Sequence, residues 1–174
     1  MRVLRLSLVG TVVLALLGGL GSVALAQESD AHVTGTMACG HAGVSTVLED
    51  ESVALYLYPG YCTVTMSDPR VSGVMHSDIQ EVCFEDLNHA CLFHITSVLT
   101  GPDGTWVGTG GSIHDASRTA LPAWATLVGT GAYEGWTFTF HASNQMDASA
   151  EVSGIVYEGP PPPWAEAVPL APAE

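Results

Sequence analysis

Lysine is absent from this sequence, and arginine occurs four times, at Arg2, Arg5, Arg70 and Arg118. Against these stand 18 Asp and Glu residues, giving a formal net charge of −14. A chain this poor in cations lacks the basic surface that phosphate backbones require, which excludes nucleic acid as a partner. It would also repel anionic lipid. No stretch shows sustained helical periodicity with caps, so nothing predicts a helix bundle. Signatures of catalysis are missing too. There is no G-x-S-x-G elbow, no H-E-x-x-H pair and no paired C-x-x-C. At 174 residues the chain suits one domain and excludes a large multidomain assembly.

The one long apolar stretch lies near the start. Arg2 and Arg5 precede an apolar run over residues 6–20, and small residues follow at Ala24 and Ala26 in the A-x-A spacing that signal peptidase accepts. About 15 apolar residues fall short of the roughly 20 that span a bilayer. Residues 1–26 are therefore expected to be a cleaved signal peptide, with the cut before Gln27. No Cys follows that site to carry a lipid, and no second apolar run of spanning length occurs, so the expected product is secreted and has no membrane partner. Losing Arg2 and Arg5 from a charge of −14 leaves −16, with Arg70 and Arg118 as the fixed cations. Four cysteines follow the leader, Cys39, Cys62, Cys83 and Cys91. An even count in an oxidising compartment predicts two disulfides. Three pairings are open, and Cys39 with Cys62 and Cys83 with Cys91 is preferred because each closes a short segment of neighbouring strands.

Residues 27–158 read as one β domain. Val33, Gly35, Met37 and Cys39 alternate with Thr34, Thr36 and Ala38, and Trp136, Phe138 and Phe140 alternate with Thr137, Thr139 and His141. Period two with Thr and aromatic residues is the pattern of a half-buried strand. The same reading gives strands at 33–39, 53–58, 62–67, 71–77, 91–99, 105–113, 124–129, 136–141 and 150–157, with Pro59-Gly60 dividing the second from the third. Residues 77–87 fit either a helical turn or a strand through 79–84. Gly101-Pro102-Asp103-Gly104 reads as a hairpin turn. Glycines in and beside the strands, such as Gly108, Gly110, Gly129 and Gly154, suit a strongly curved sheet. The expected fold is therefore all-β, a single antiparallel barrel rather than a flat sandwich. From residue 159 the chain changes character. Pro160 to Pro163 predict an extended segment, and 159–174 is expected to be a proline-rich, disordered tail.

Four short blocks carry a resemblance. Ser67-Asp68-Pro69-Arg70-Val71-Ser72-Gly73 resembles an "sDpRvsG" block found in an uncharacterised group of bacterial secreted proteins. Gly104-Thr105-Trp106-Val107-Gly108, then Gly129-Thr130-Gly131-Ala132-Tyr133-Glu134-Gly135-Trp136, then Val152-Ser153-Gly154-Ile155 follow in the order seen there. The group is similar to the allene oxide cyclase and dirigent type of β-barrel, and the resemblance covers residues 33 to 158. It implies a barrel of about eight strands.

Candidate chemistry is sparse. His76, Asp78, Glu85, Asp86, His89 and His94 cluster in sequence around Cys83 and Cys91. They are ligand types for zinc or copper, but the spacing matches no metal template and solvated loops explain the composition. Ser112, His114 and Asp115 lie too close together to form a catalytic triad readily. Neither a metal nor a cofactor is expected, and no catalytic residue is assigned. Trp106, Glu134, Trp136 and Phe138 are the candidate ligand-binding residues, the aromatics as barrel lining and Glu134 as a carboxylate that could face an apolar lumen. The reading that fits is a secreted acidic barrel with a non-catalytic binding or structural role, its partner a small apolar ligand or a glycan. The alternative is a small barrel isomerase or cyclase acting on an apolar substrate in the lumen. A lumen lined by aromatics with one buried carboxylate would favour the enzyme, and a solidly packed lumen would leave surface binding alone.

Overall fold

Side chains alternate between two environments along nearly every segment, and a sheet is the structure that separates them. In the computed structural model, residues 30–49, 52–85, 90–114, 121–144 and 149–162 are described, and they form nine strands. In chain order these are β1 (Ala31–His41), β2 (Ser45–Glu49), β3 (Val53–Met66), β4 (Gly73–Phe84), β5 (Ala90–Thr100), β6 (Gly104–His114), β7 (Leu121–Gly131), β8 (Trp136–Asn144) and β9 (Ala150–Glu158). A 3-10 turn, Pro69–Val71, leads into β4. Consecutive strands from β2 to β9 pair antiparallel, and β1 pairs with both β9 and β3. Those two pairings close eight strands into a ring, with β2 attached to β3 outside it. No helix among the described residues is long and apolar enough to cross a membrane. Residues 1–29 and 163–174, which hold the expected signal peptide and most of the expected tail, lie outside the described residues.

The seam of the ring explains a difference from the sequence reading. Pro59-Gly60 does not divide two strands; β3 runs through it and changes partner there. Residues 54–57 pair with β2, and residues 60–66 pair with β1. Pro59 has no N–H to give a ladder, so it suits the point where one partner gives way to the next. Its carbonyl still accepts a bond from the Ala42 N–H at 3.2 Å. Two further points are local. Of the two structures that residues 77–87 fit, the strand is the one formed, because β4 continues to Phe84, and Val71 belongs to the 3-10 turn ahead of β4 rather than to the strand expected from it. The short strand β2 has no counterpart in the sequence reading. Both disulfides have the preferred pairing, Cys39–Cys62 across β1 and β3, and Cys83–Cys91 across β4 and β5.

One end of the ring interior is filled. Trp106, Phe138, Leu99, Leu127, Val33, Val71 and Val156 are almost fully removed from solvent there. Trp106 stacks on Tyr133 at 5.1 Å and meets Phe138 edge-on at 6.1 Å. The 3-10 turn stoppers this end. Val71 is buried beneath it, and the Trp106 indole N–H donates to the Arg70 carbonyl at 2.7 Å. Asp68 caps the turn, accepting from the Arg70 N–H at 2.9 Å, and its carboxylate also holds the Arg70 guanidinium at 2.7 Å. Arg70 lies over the Trp136 ring, 4.6 Å from its centroid.

Candidate functional site

The other half of the interior is open because its inward positions carry small side chains. Antiparallel register puts Met75, Ser77, Ile79, Glu81 and Cys83 of β4 on the same face as Phe93, Ile95 and Ser97 of β5 and Gly110, Ser112 and His114 of β6. The face continues on β7 with Ala123 and Ala125. Where the closed end has Trp106 and Leu127, this end has Gly110, Ser112, Ala123 and Ala125. These cannot fill the space the strands enclose. What remains is a cavity of about 610 Å³, with Met37, Met75 and Phe140 among the apolar residues that line it. That volume falls within the range of small-molecule sites.

One wall of the cavity is polar. Glu81 retains 8% of its exposure, and its carboxylate accepts a bond from the Tyr58 hydroxyl at 2.9 Å. His114 retains 5%, with Nε2 3.5 Å from the nearer Glu81 oxygen and its ring edge-on to Phe93 at 4.6 Å. A buried carboxylate and an imidazole this close together can serve as an acid and a base toward a substrate that sits beside them in the cavity. Nearby, the Ser77 and Ser97 hydroxyls bond each other at 2.8 Å, and Ser112 donates to the Pro122 carbonyl at 2.9 Å. These hydroxyls are already engaged within the wall.

A four-residue set of metal-ligand types sits here as well. Glu81, Cys83, Cys91 and His114 bring their ligand atoms within 4.8 Å of one another. Both sulfurs are in a disulfide, however, and a disulfide offers no thiolate. The set reduces to one carboxylate and one imidazole, fewer than a structural or catalytic zinc centre uses.

The residues singled out in the sequence fall elsewhere. Trp106 and Phe138 are packed into the closed end, Trp136 is half-buried under Arg70, and Glu134 is exposed in the turn between β7 and β8. None of the four lines the cavity. His76, Asp78 and His94 face outward from β4 and β5 and are exposed, while Asp86 and His89 lie outside the described residues. Glu85 does reach the cavity, at its exposed rim. The residues that sequence reading missed are Tyr58 and Glu81, while His114 is weighed there only with Ser112 and Asp115 and set aside. A signal for Glu81 was present: with β4 read as a strand, Met75, Ser77, Ile79, Glu81 and Cys83 share a face, and an acid among them is out of place. No protein-family model and no curated protein matches this chain.

Proposed function

We propose that this protein is an exported, disulfide-braced β-barrel that binds one small, largely apolar molecule in the open half of its lumen, without transforming it. The cavity of about 610 Å³ carries this reading, since an interior meant for stability alone would be filled as the opposite end is. Its walls favour an apolar occupant over a glycan, because most lining side chains are aliphatic, aromatic or already hydrogen-bonded. The leader-like residues 1–26, the paired cysteines and the acidic composition support export. The resemblance of the four glycine-rich blocks to the allene oxide cyclase and dirigent type of barrel supports a closed cylinder.

Native mass spectrometry of protein recovered from its own culture medium tests the reading. A co-purifying molecule is expected, and the Ala123→Phe variant, which puts a ring into the cavity, should lose it while keeping its near-ultraviolet circular dichroism. An Ala123→Phe protein that retains the molecule would place binding outside the lumen.

A second reading, an isomerase or cyclase, is favoured by one observation. The lumen combines aromatics with a buried carboxylate and a neighbouring imidazole, an arrangement suited to moving a proton on an apolar substrate. If so, the recovered ligand should exchange a carbon-bound proton for deuterium when incubated with the protein in deuterated water. Glu81→Gln should abolish that exchange. A ligand whose carbon-bound protons do not exchange leaves the binding role alone.

A further inference from the structure

The charge pattern of the cavity narrows the ligand class. Among the described residues Arg70 is the sole Lys or Arg, and it is held at the closed end by Asp68 and Trp136. No described cation therefore lines the cavity, whereas two carboxylates do, Glu81 in the wall and Glu85 at the rim. A carboxylate in an apolar enclosure is costly unless a donor or a positive charge meets it. Tyr58 supplies one donor to Glu81. His114 Nε2 lies 3.5 Å from the same carboxylate. An anionic ligand would bring a like charge into that low-dielectric space, and a cationic one an opposite charge.

The aromatic complement points the same way. Tyr56, Tyr58, Phe93 and Phe140 contribute rings to the lining. The faces of such rings attract ammonium groups, most strongly where water is excluded. A carboxylate beside several aromatic rings, above an apolar floor of Met37 and Met75, suits a molecule with a positive head and a hydrocarbon body.

We infer that the lumen selects hydrophobic amines or quaternary ammonium compounds and rejects carboxylic acids of the same size. This inference rests on the binding role proposed above and specifies its ligand class. Calorimetric titration with octyltrimethylammonium, octanol and octanoate, near pH 8 where an ordinary imidazole is neutral, separates the two. The expected order is ammonium tightest and octanoate weakest, with about a tenfold gap between ammonium and octanol, equivalent to about 1.4 kcal/mol. Glu81→Gln should erase most of that gap. Circular dichroism of the variant checks its fold, and the comparison of the three probes on the unmodified protein stands even if the variant misfolds.

If octanol or octanoate binds as tightly as the ammonium compound, the inference falls and the binding role remains. If a properly folded Glu81→Gln keeps the full preference, the preference belongs to the acidic exterior and the inference also falls. If none of the three probes binds, both this inference and the binding role on which it rests are overturned.

Discussion

Asp68 and Arg70, two residues apart, hold the stopper at the closed end. Burial by itself would raise the Asp68 pKa. The hydrogen bonds from the Arg70 guanidinium and N–H, together with the guanidinium charge, outweigh burial and hold the carboxyl below its ordinary range. A group with a depressed folded pKa stabilises the fold fully above its unfolded value, about 3.9, and loses that contribution as pH falls through the folded value. Asp68→Ala removes a cap and the acceptor of a charged pair, so it should cost about 1–2 kcal/mol at neutral pH. Urea unfolding should show that difference at pH 7 and a shrinking one below about pH 4. A difference that stays constant into acid would mean that lost packing, and not the carboxylate, is responsible. The aspartate, proline and arginine of this turn stand out in the sequence. The cavity acids do not, because whether Glu81 faces inward depends on the register of β4, and residues 77–87 fit helix and strand equally well until that register is known.

At the scale of elements, the ring depends on one pairing that skips over a strand. Seven of its eight contacts join strands that are neighbours in sequence or, for β1 with β9, the two ends of the β chain; β1 with β3 skips over β2. The Cys39–Cys62 disulfide lies across that seam, in register with the ladder that runs from Gly35 opposite Met66 to His41 opposite Gly60. Replacing both cysteines by serine should lower stability by about 2–4 kcal/mol. Hydrogen exchange should rise first in β1 and the second half of β3, ahead of β6 and β7. Uniform loss of protection around the ring would show that the seam is no weaker than the sequential ladders. Strand periodicity and the preferred cysteine pairing made most of these elements legible. The continuous β3 was not, because a Pro-Gly pair ordinarily marks a turn. Here it marks a change of partner, which is a tertiary event that no local pattern encodes. β2 was missed for a related reason. It pairs with β3 alone, and Val47 and Leu48 remain exposed, so its side chains carry no clear alternation between core and solvent.

For the whole molecule, two distributions matter: bulk along the ring axis and charge across its wall. Bulky residues crowd one end and small ones leave the other open, a gradient visible in the sequence only after the strands are aligned in register. Trp106 and Gly110 lie four positions apart on one strand and face the same interior, yet one fills it and the other leaves it empty. The aromatic residues were therefore legible as interior, but not as belonging to its closed end. Charge follows a simpler rule. With 18 acids against four arginines, most carboxylates have no cation to meet and must repel one another across the folded surface. An unfolded chain spaces those charges further apart, so repulsion favours unfolding wherever it is unscreened. Raising sodium chloride from about 0.01 M to 1 M shortens the screening length from about 30 Å to 3 Å. The thermal midpoint should therefore climb by about 5 °C, equivalent to about 1–2 kcal/mol for a domain of this size. Chloride is the right anion for the measurement, because sulfate would also strengthen burial by being excluded from the protein surface. Scanning calorimetry across that series decides the matter. A midpoint that stayed flat would mean that the carboxylates are too widely spaced to strain the fold, and that the acidity contributes to solubility alone.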